Sequence, residues 1–537
     1  MTAAVLTVAA VSFLAFRGTL GHEFVSWDDD VYVYENPAFT NLSSARVAWL
    51  LSSFYYYAYI PVTLLSHTAD VLVGGMDPRQ HHLTNVLLHA ANSAWVLLLG
   101  WVLLSRSGAV GPAGSARSRA SAIAGMGIAA VLFAVHPLRA ESVAWVSDRK
   151  DLLCAFFSLP AAIAYLVYSS RRGKARAGRW LAASFALFVL AILSKSTAVA
   201  FPLVLVILDW WRGRDGAGRL REKLPFVLVA AAIAALSLAL APHTTPSYSV
   251  SHISGVEWLL FPFYSLAFPL YKTLLPLHLS PIYPRVGSEG MWLGLAAVAI
   301  VTGGAALLAR RGRRAPLAAW LVYLVFLLPN IAGLGSGAQP VADRYSYLST
   351  ISLYLLLGAG IAAAWGSGAV ARRGAAAIGG GALIVLLLGL AIPQASQWRS
   401  SVSLWEFVVT TFPATRDYTD AYVNLGVAYE QAGRRADALR VLEKAFSTDP
   451  ANAKVLHNLG MISYLDGNRQ RALECFRRET EVDSHPAQAY FNRALAAESL
   501  GLHDEALASM VQAARLGSKD AQEALNSRGI PWERATP

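Results

Sequence analysis

Three adjacent carboxylates, Asp28, Asp29 and Asp30, follow Trp27 in the segment WDDDVYVYENP. Like charges this close repel one another. They persist where a cation, a bound hydroxyl or a raised pKa relieves the repulsion, and a carboxylate so placed can act as a general base or a metal ligand. A solvated acidic turn, with Asp30 or Asn36 capping a helix, accounts for the same spacing. The loop follows an apolar helix directly, near the surface where a lipid-borne substrate would present its head group.

A second cluster lies in LFAVHPLRAESVAWVSDRKDLL, with His136, Arg139, Glu141, Asp148, Arg149, Lys150 and Asp151. On a helix, Glu141 and Asp148 stand two turns apart on one face, with Arg149 beside Asp148, so both acids are candidates for catalysis or metal binding. Ionisable groups at membrane depth pair with one another or face a cavity, and a salt-bridged helix end is the plainer account. Lys195, in LSKSTAVAFP, stands alone between two short apolar runs, and Arg344, in VADRYSYL, follows Asp343. A cation at the edge of a bundle suits a phosphate or pyrophosphate leaving group. Snorkelling to lipid phosphates competes for Lys195, whereas Tyr345 and Tyr347 suggest a packed site around Arg344. Arg149 and His136 complete the set of candidate donor-phosphate ligands.

These residues must be positioned by a bilayer protein. The 537 residues are 55% hydrophobic and 15% charged, with mean hydropathy +0.43. Apolar runs at about 2–17, 82–104, 121–137, 151–169, 180–194, 197–211, 224–241, 291–309, 316–333, 346–365 and 374–392 predict eleven spans. The basic excess lies within residues 1–392, because 393–537 carry 16 Lys+Arg against 18 Asp+Glu out of 45 and 34 overall. Its clusters, such as Arg171/Arg172/Lys174 and Arg310/Arg311/Arg313/Arg314, fall in short loops between apolar runs. That is the pattern of membrane topology rather than of nucleic-acid binding. The clusters stay on the cytoplasmic side if 257–277, with its three prolines, enters and leaves by one face as a re-entrant or interfacial segment walling a cavity. The first helix, without a basic segment before it, reads as uncleaved. Cys154 and Cys475 imply no disulfide.

Beyond residue 392 a 34-residue period appears. Tyr422, Leu425, Gly426, Tyr429, Gly433, Ala438, Leu442, Ala445 and Pro450 fall at the spacings of a tetratricopeptide (TPR) unit, and Gly433, Gly467 and Gly501 repeat the turn. The expected organisation is a membrane domain over 1–392, a linker with a degenerate half-repeat over 393–418, and repeats at 419–452, 453–486 and 487–520 with a cap reaching 537. Asn424, Asn458 and Asn492 recur at one position of the first helix of each repeat. Such an amide ladder could hold an extended acceptor peptide by its backbone, or could bond neighbouring helices.

Taken in order, WDDD, Tyr59-Ile60-Pro61-Val62-Thr63, HHLTNVLLHA, AVHPLRAESVAWVSDRKDLL, LSKSTAVAFP, VADRYSYL and the terminal repeats resemble the transmembrane and TPR-containing O-mannosyltransferases and their bacterial relatives, of the C-type glycosyltransferase fold. The resemblance covers nearly the whole chain. It implies an all-α polytopic bundle and a polyprenyl- or dolichyl-phosphate sugar donor. It also implies inverting transfer to a hydroxyl of a protein or glycan outside the cytoplasm, from a bacterial inner membrane. By matching position the acidic pair is Asp28 and Asp29, either of which would deprotonate the acceptor hydroxyl. The third acid, Asp30, departs from the pattern, and YIPV lacks the arginine of the usual YRPL-like element. No cofactor is implied, though the acids are compatible with a divalent metal. Two rivals are a polymerase or ligase of lipid-linked glycans, for which His243 and His252 are the suggestive late-loop histidines, and a membrane-anchored TPR scaffold.

Overall fold

The computed structural model describes residues 1–39, 43–52, 54–55, 58–106, 116–214, 217–240, 255–284, 286–331, 339, 341–366, 370–412 and 415–533. It divides into two compact units, Met1–Ser400 and Ser401–Pro537. Both are helical; among the described residues the extended pairing is limited to one isolated bridge, Tyr55 to Ala58.

Among the described residues of the first unit seven helices are long and apolar enough to cross a membrane, the first being Thr2–Gly21 and the last Arg373–Arg399. Two further pairs, Ala116–Ala134 with Pro137–Ala144 and Asp343–Ser349 with Ile351–Gly366, qualify together but bend by 58° and 54°. Gly178–Ser194 and Ser196–Trp211 are shorter apolar helices. Each of the eleven runs read from the sequence falls on one of these elements. Ile378, Val385, Leu293 and Ile300 are more than two-thirds exposed on such helices, an outer surface that hydrocarbon rather than water can cover. This is a multi-pass membrane protein.

The bends have local causes. Pro137 has no N–H to continue the helix ending at Ala134, and it restricts the residue before it, so the chain turns at His136. The His136 ring caps the new turn by accepting from the Leu138 N–H. Close approach of small residues holds the bundle there: a Cβ on Gly125 would lie 2.5 Å from the Gly358 carbonyl oxygen.

The proline-rich stretch is helical and is not among the described helices long and apolar enough to cross a membrane. Gly255–Leu274 is one helix with Pro262 and Pro269 inside it. Near the second proline, Tyr323 donates to the Leu266 carbonyl at 2.6 Å and Thr273 donates to the Pro269 carbonyl at 2.6 Å. Hydroxyls thus bond to helix carbonyls on either side of this turn.

In the second unit, helices Thr419–Gln431 and Arg435–Thr448, Ala453–Leu465 and Arg469–Val482, and Ala487–Ser499 and His503–Arg515 form three antiparallel pairs, followed by Lys519–Ser527. The turn glycines Gly433, Gly467 and Gly501 have φ of 74°, 87° and 76°, where a side chain would be strained. Helix Ser401–Thr411 precedes the pairs and buries Leu404, Trp405 and Val408.

Candidate active site

The candidate residues sit where helices of the first unit are interrupted: the loop after the first helix, the bend at 135–148, the break at Lys195 and the bend at 343–350. Irregular backbone frees polar groups that a continuous helix would consume, and side chains there can converge.

In the first loop the three acids have different fates. Asp29 is fully buried and accepts from the Val25 N–H at 2.9 Å, the Ser147 N–H at 2.8 Å and the Ser147 hydroxyl at 2.5 Å. Burial pushes its pKa up to about 6, against the lowering effect of those hydrogen bonds. The sequence places Asp29 in an exposed polar loop; the structure instead makes it the residue that fastens the loop to the segment at 147.

Asp28 has φ of 155°, a backbone conformation rare for an L residue, and such conformations cluster at functional sites. Its pKa is raised to about 7, first by burial, with Lys150 and Arg344 opposing and Asp29 and Asp30 adding to the rise. Asp30 begins the wide helical turn Asp30–Tyr34, which buries Tyr32 and Val33.

Trp145 organises the cations. Its ring stacks on Trp398 with centroids 5.5 Å apart. Lys150 Nζ lies 5.3 Å from the Trp145 centroid and 5.0 Å from that of Tyr32, while the Arg344 guanidinium lies 5.5 Å from Trp145 and 5.1 Å from Tyr345. Arg344 is paired with Glu141, whose two oxygens accept from its side chain at 2.5 Å and its backbone N–H at 2.8 Å. Lys195 donates to Asp151 at 2.6 Å. Lys150, buried to 2% exposure, has no carboxylate within ion-pair distance among the described residues. Both Asp148 oxygens are buried without a hydrogen-bond partner among the same residues.

Arg149 and His136 stand apart from this group. Arg149 donates to Asn85 Oδ1 at 2.8 Å and to the His81 carbonyl at 2.8 Å, and pairs with Asp70 at 2.5 Å; none of these partners is shared with Lys195 or Arg344. His136 has both ring nitrogens engaged by backbone, Nδ1 at Leu138 and Nε2 at the Thr273 carbonyl, 3.1 Å away. The ladder asparagines are not equivalent: Asn458 donates to the Lys454 carbonyl of its own helix, Asn492 is buried and accepts from Gln488, and Asn424 is half-buried. His243 and His252 lie outside the described residues.

Two features escape a linear reading. Lys150 stands out only once its neighbours Tyr32 and Trp145 are known. The helix Pro78–Arg106 also turns His81, Asn85, His89 and Asn92 inward, all fully buried. Asn85 donates to the Trp145 carbonyl at 3.1 Å and Asn92 to the Leu152 carbonyl at 2.9 Å, so this stripe holds the strands of chain that carry the cluster. Polar residues at i, i+4 and i+8 of an apolar helix were the available signal.

Tetratricopeptide repeat models match residues 419–462 and 487–518. The chain is 30% identical over 222 residues to the Drosophila melanogaster protein O-mannosyl-transferase Tmtc2, covering 39% of this chain and 22% of that protein. It is 29% identical over 206 residues to the Homo sapiens protein O-mannosyl-transferase TMTC4, covering 36% and 27%. The chain thus spans about a quarter of the length of these curated relatives. Among solved structures it is similar to ArnT from Cupriavidus metallidurans in the apo state, at 18% identity and a TM-score of 0.40, covering 91% of this chain and 79% of that one. Over somewhat more than a third of its length the chain is similar to protein O-mannosyl-transferases, and it carries tetratricopeptide repeats.

Proposed function

We propose that the protein is a membrane glycosyltransferase that moves a sugar, mannose by kinship, from a polyprenyl- or dolichyl-phosphate carrier to a hydroxyl of a protein Ser or Thr outside the cytoplasm. One observation carries this reading: a half-buried carboxylate whose pKa is pushed up to about 7, Asp28, lies in the field of the buried cations Lys150 and Arg344. A base that takes a proton from a hydroxyl works best with a pKa near ambient pH, and a departing phosphate needs fixed positive charge.

In this mechanism Asp28 accepts the proton of the acceptor hydroxyl as its oxygen bonds to the anomeric carbon. The bond from that carbon to the carrier phosphate breaks on the opposite face, which inverts the configuration. Lys150, with no carboxylate within ion-pair distance among the described residues, contacts the departing phosphate, while Arg344 and Lys195, held by Glu141 and Asp151, add to the positive field. Asp29 positions Asp28 through Ser147. No step calls on a metal or cofactor. The repeats recruit the protein acceptor, with Asn424 and Asn458 the accessible amides of the ladder.

The test is transfer from a panel of polyprenyl-phosphate sugars to a Ser/Thr peptide by purified protein in lipid, comparing wild type with Asp28→Asn. Transfer by wild type and its loss in the variant support the reading. A wild type that consumes no lipid-linked sugar, or an Asp28→Asn variant of full activity, overturns it.

A further inference from the structure

The hairpin between helices Pro61–Gly74 and Pro78–Arg106 gathers three side chains that the transfer mechanism does not use. His67 and Asp70 are three residues apart on one helix face, and His81, in the first turn of the next helix, meets them; all three are buried. Their ligand atoms lie within 4.8 Å of one another, with His67 Nδ1 3.2 Å from His81 Nδ1 and the latter 3.5 Å from Asp70 Oδ2. A tetrahedral ion with ligands at about 2.0–2.1 Å sets those atoms about 3.3 Å apart, so both separations fit with hardly any movement.

The surroundings are those of a held ligand set. Thr84 donates to Asp70 Oδ1 at 2.6 Å and Gln80 at 3.4 Å, which leaves Oδ2 turned toward the histidines. The two rings are stacked at 27°, and neither Nε2 has a hydrogen-bond partner among the described residues. Arg149 shares Oδ2, but its hydrogen bonds to Asn85 and the His81 carbonyl keep it in place when that oxygen is also drawn to a cation.

We propose that His67, Asp70 and His81 bind one zinc-type divalent ion. Two imidazole nitrogens and one carboxylate oxygen select a borderline, tetrahedral cation over magnesium or calcium, which take oxygen ligands, and three protein ligands leave a fourth position open. The ion pins the two helices of the hairpin together. Through Asp70 it also bears on Arg149, the chain neighbour of Asp148 and Lys150. The site stands whether or not the transfer reaction is as proposed.

The experiment uses full-length protein in detergent, purified through a tag without histidines, stripped by chelator and titrated with Co2+ as an optical probe. The expected result is a tetrahedral ligand-field spectrum that saturates at one ion per chain and disappears when Zn2+ is added. His67→Asn, which disturbs no ion pair, should abolish the spectrum while the protein elutes and melts as metal-free wild type does. If that variant does not fold, His81→Gln gives the same reading. Thr84→Val should weaken binding about 10–100-fold. The proposal is overturned by a folded wild type that gives no tetrahedral spectrum, as a metal-free hydrogen-bonded imidazole pair would. A spectrum that persists in folded His67→Asn or His81→Gln protein overturns it equally.

Discussion

Ser147 grips one oxygen of Asp29 twice, through its backbone N–H at 2.8 Å and its hydroxyl at 2.5 Å. The contact ties the first loop to the segment of Asp148, Arg149 and Lys150, and it gives two neighbouring carboxylates different work. Asp29 is engaged by three donors, whereas Asp28 is held between opposing charges.

Asp28→Asn is expected to lower transfer by about 10²–10⁴-fold, the usual loss for a general base, without lowering the melting temperature, since the amide replaces a carboxylate whose charged form burial disfavours. Asp29→Asn should lose activity and about 1–3 kcal/mol of stability together, because an amide nitrogen would face either the Val25 N–H or the Ser147 donors. Transfer rates and thermal melting in one detergent separate the two. Equal stability losses in both variants would remove the distinction.

The pH dependence has opposite signs for rate and stability. Asp28 acts deprotonated, so with its pKa raised to about 7 the rate should rise about tenfold per pH unit below that value and level off above it. Both raised carboxyls bind protons more tightly folded than unfolded. Their contribution to stability therefore falls as pH climbs from about 4, the unfolded value, to about 6 for Asp29 and about 7 for Asp28. Rate and melting profiles recorded on one sample check this; a rate flat between pH 5 and pH 8 (roughly two units below to one above) contradicts the base assignment.

Arg344→Ala leaves the Glu141 carboxylate buried without its partner and should cost about 3–5 kcal/mol, apart from any effect on the donor. The double variant Glu141→Leu with Arg344→Met should recover most of that stability and none of the transfer. A double variant that transfers normally would show the pair to be structural only.

Lys150→Gln removes a cation that has no ion-pair partner among the described residues and should leave the protein folded. Losing one charge-assisted contact to phosphate is worth about 1.5–3 kcal/mol, so donor use should fall by about tenfold to a hundredfold. Kinetics over a range of lipid-phosphate sugar concentrations test this, and unchanged parameters would take Lys150 out of the mechanism.

In the repeats, Asn424→Ala with Asn458→Ala should reduce transfer to a protein acceptor while transfer to a short peptide continues. Asn492→Ala should lower the melting temperature instead, since that amide is buried and accepts from Gln488. Loss of every activity together in the double variant would make the ladder structural.

The apolar runs, the 34-residue period and the order of the acidic and basic motifs were legible in the sequence alone. Span length and repeat spacing are local properties, set by the thickness of hydrocarbon and the geometry of a helix pair. The course of the Gly255–Leu274 helix was not legible, because local pattern does not say whether a helix carries through its prolines, and its neighbours, such as Tyr323 on the Leu266 carbonyl, are distant in sequence. Neither were the separate duties of Asp28 and Asp29: Ser147 is 118 positions from Asp29, and Glu141 is 203 from Arg344. Whether a buried charge has a partner depends on which distant segment folds against it. Three aspartates that look alike in sequence, and a lysine lost in a charged run, therefore acquired their differences only in the tertiary structure, where desolvation makes each missing or present partner count.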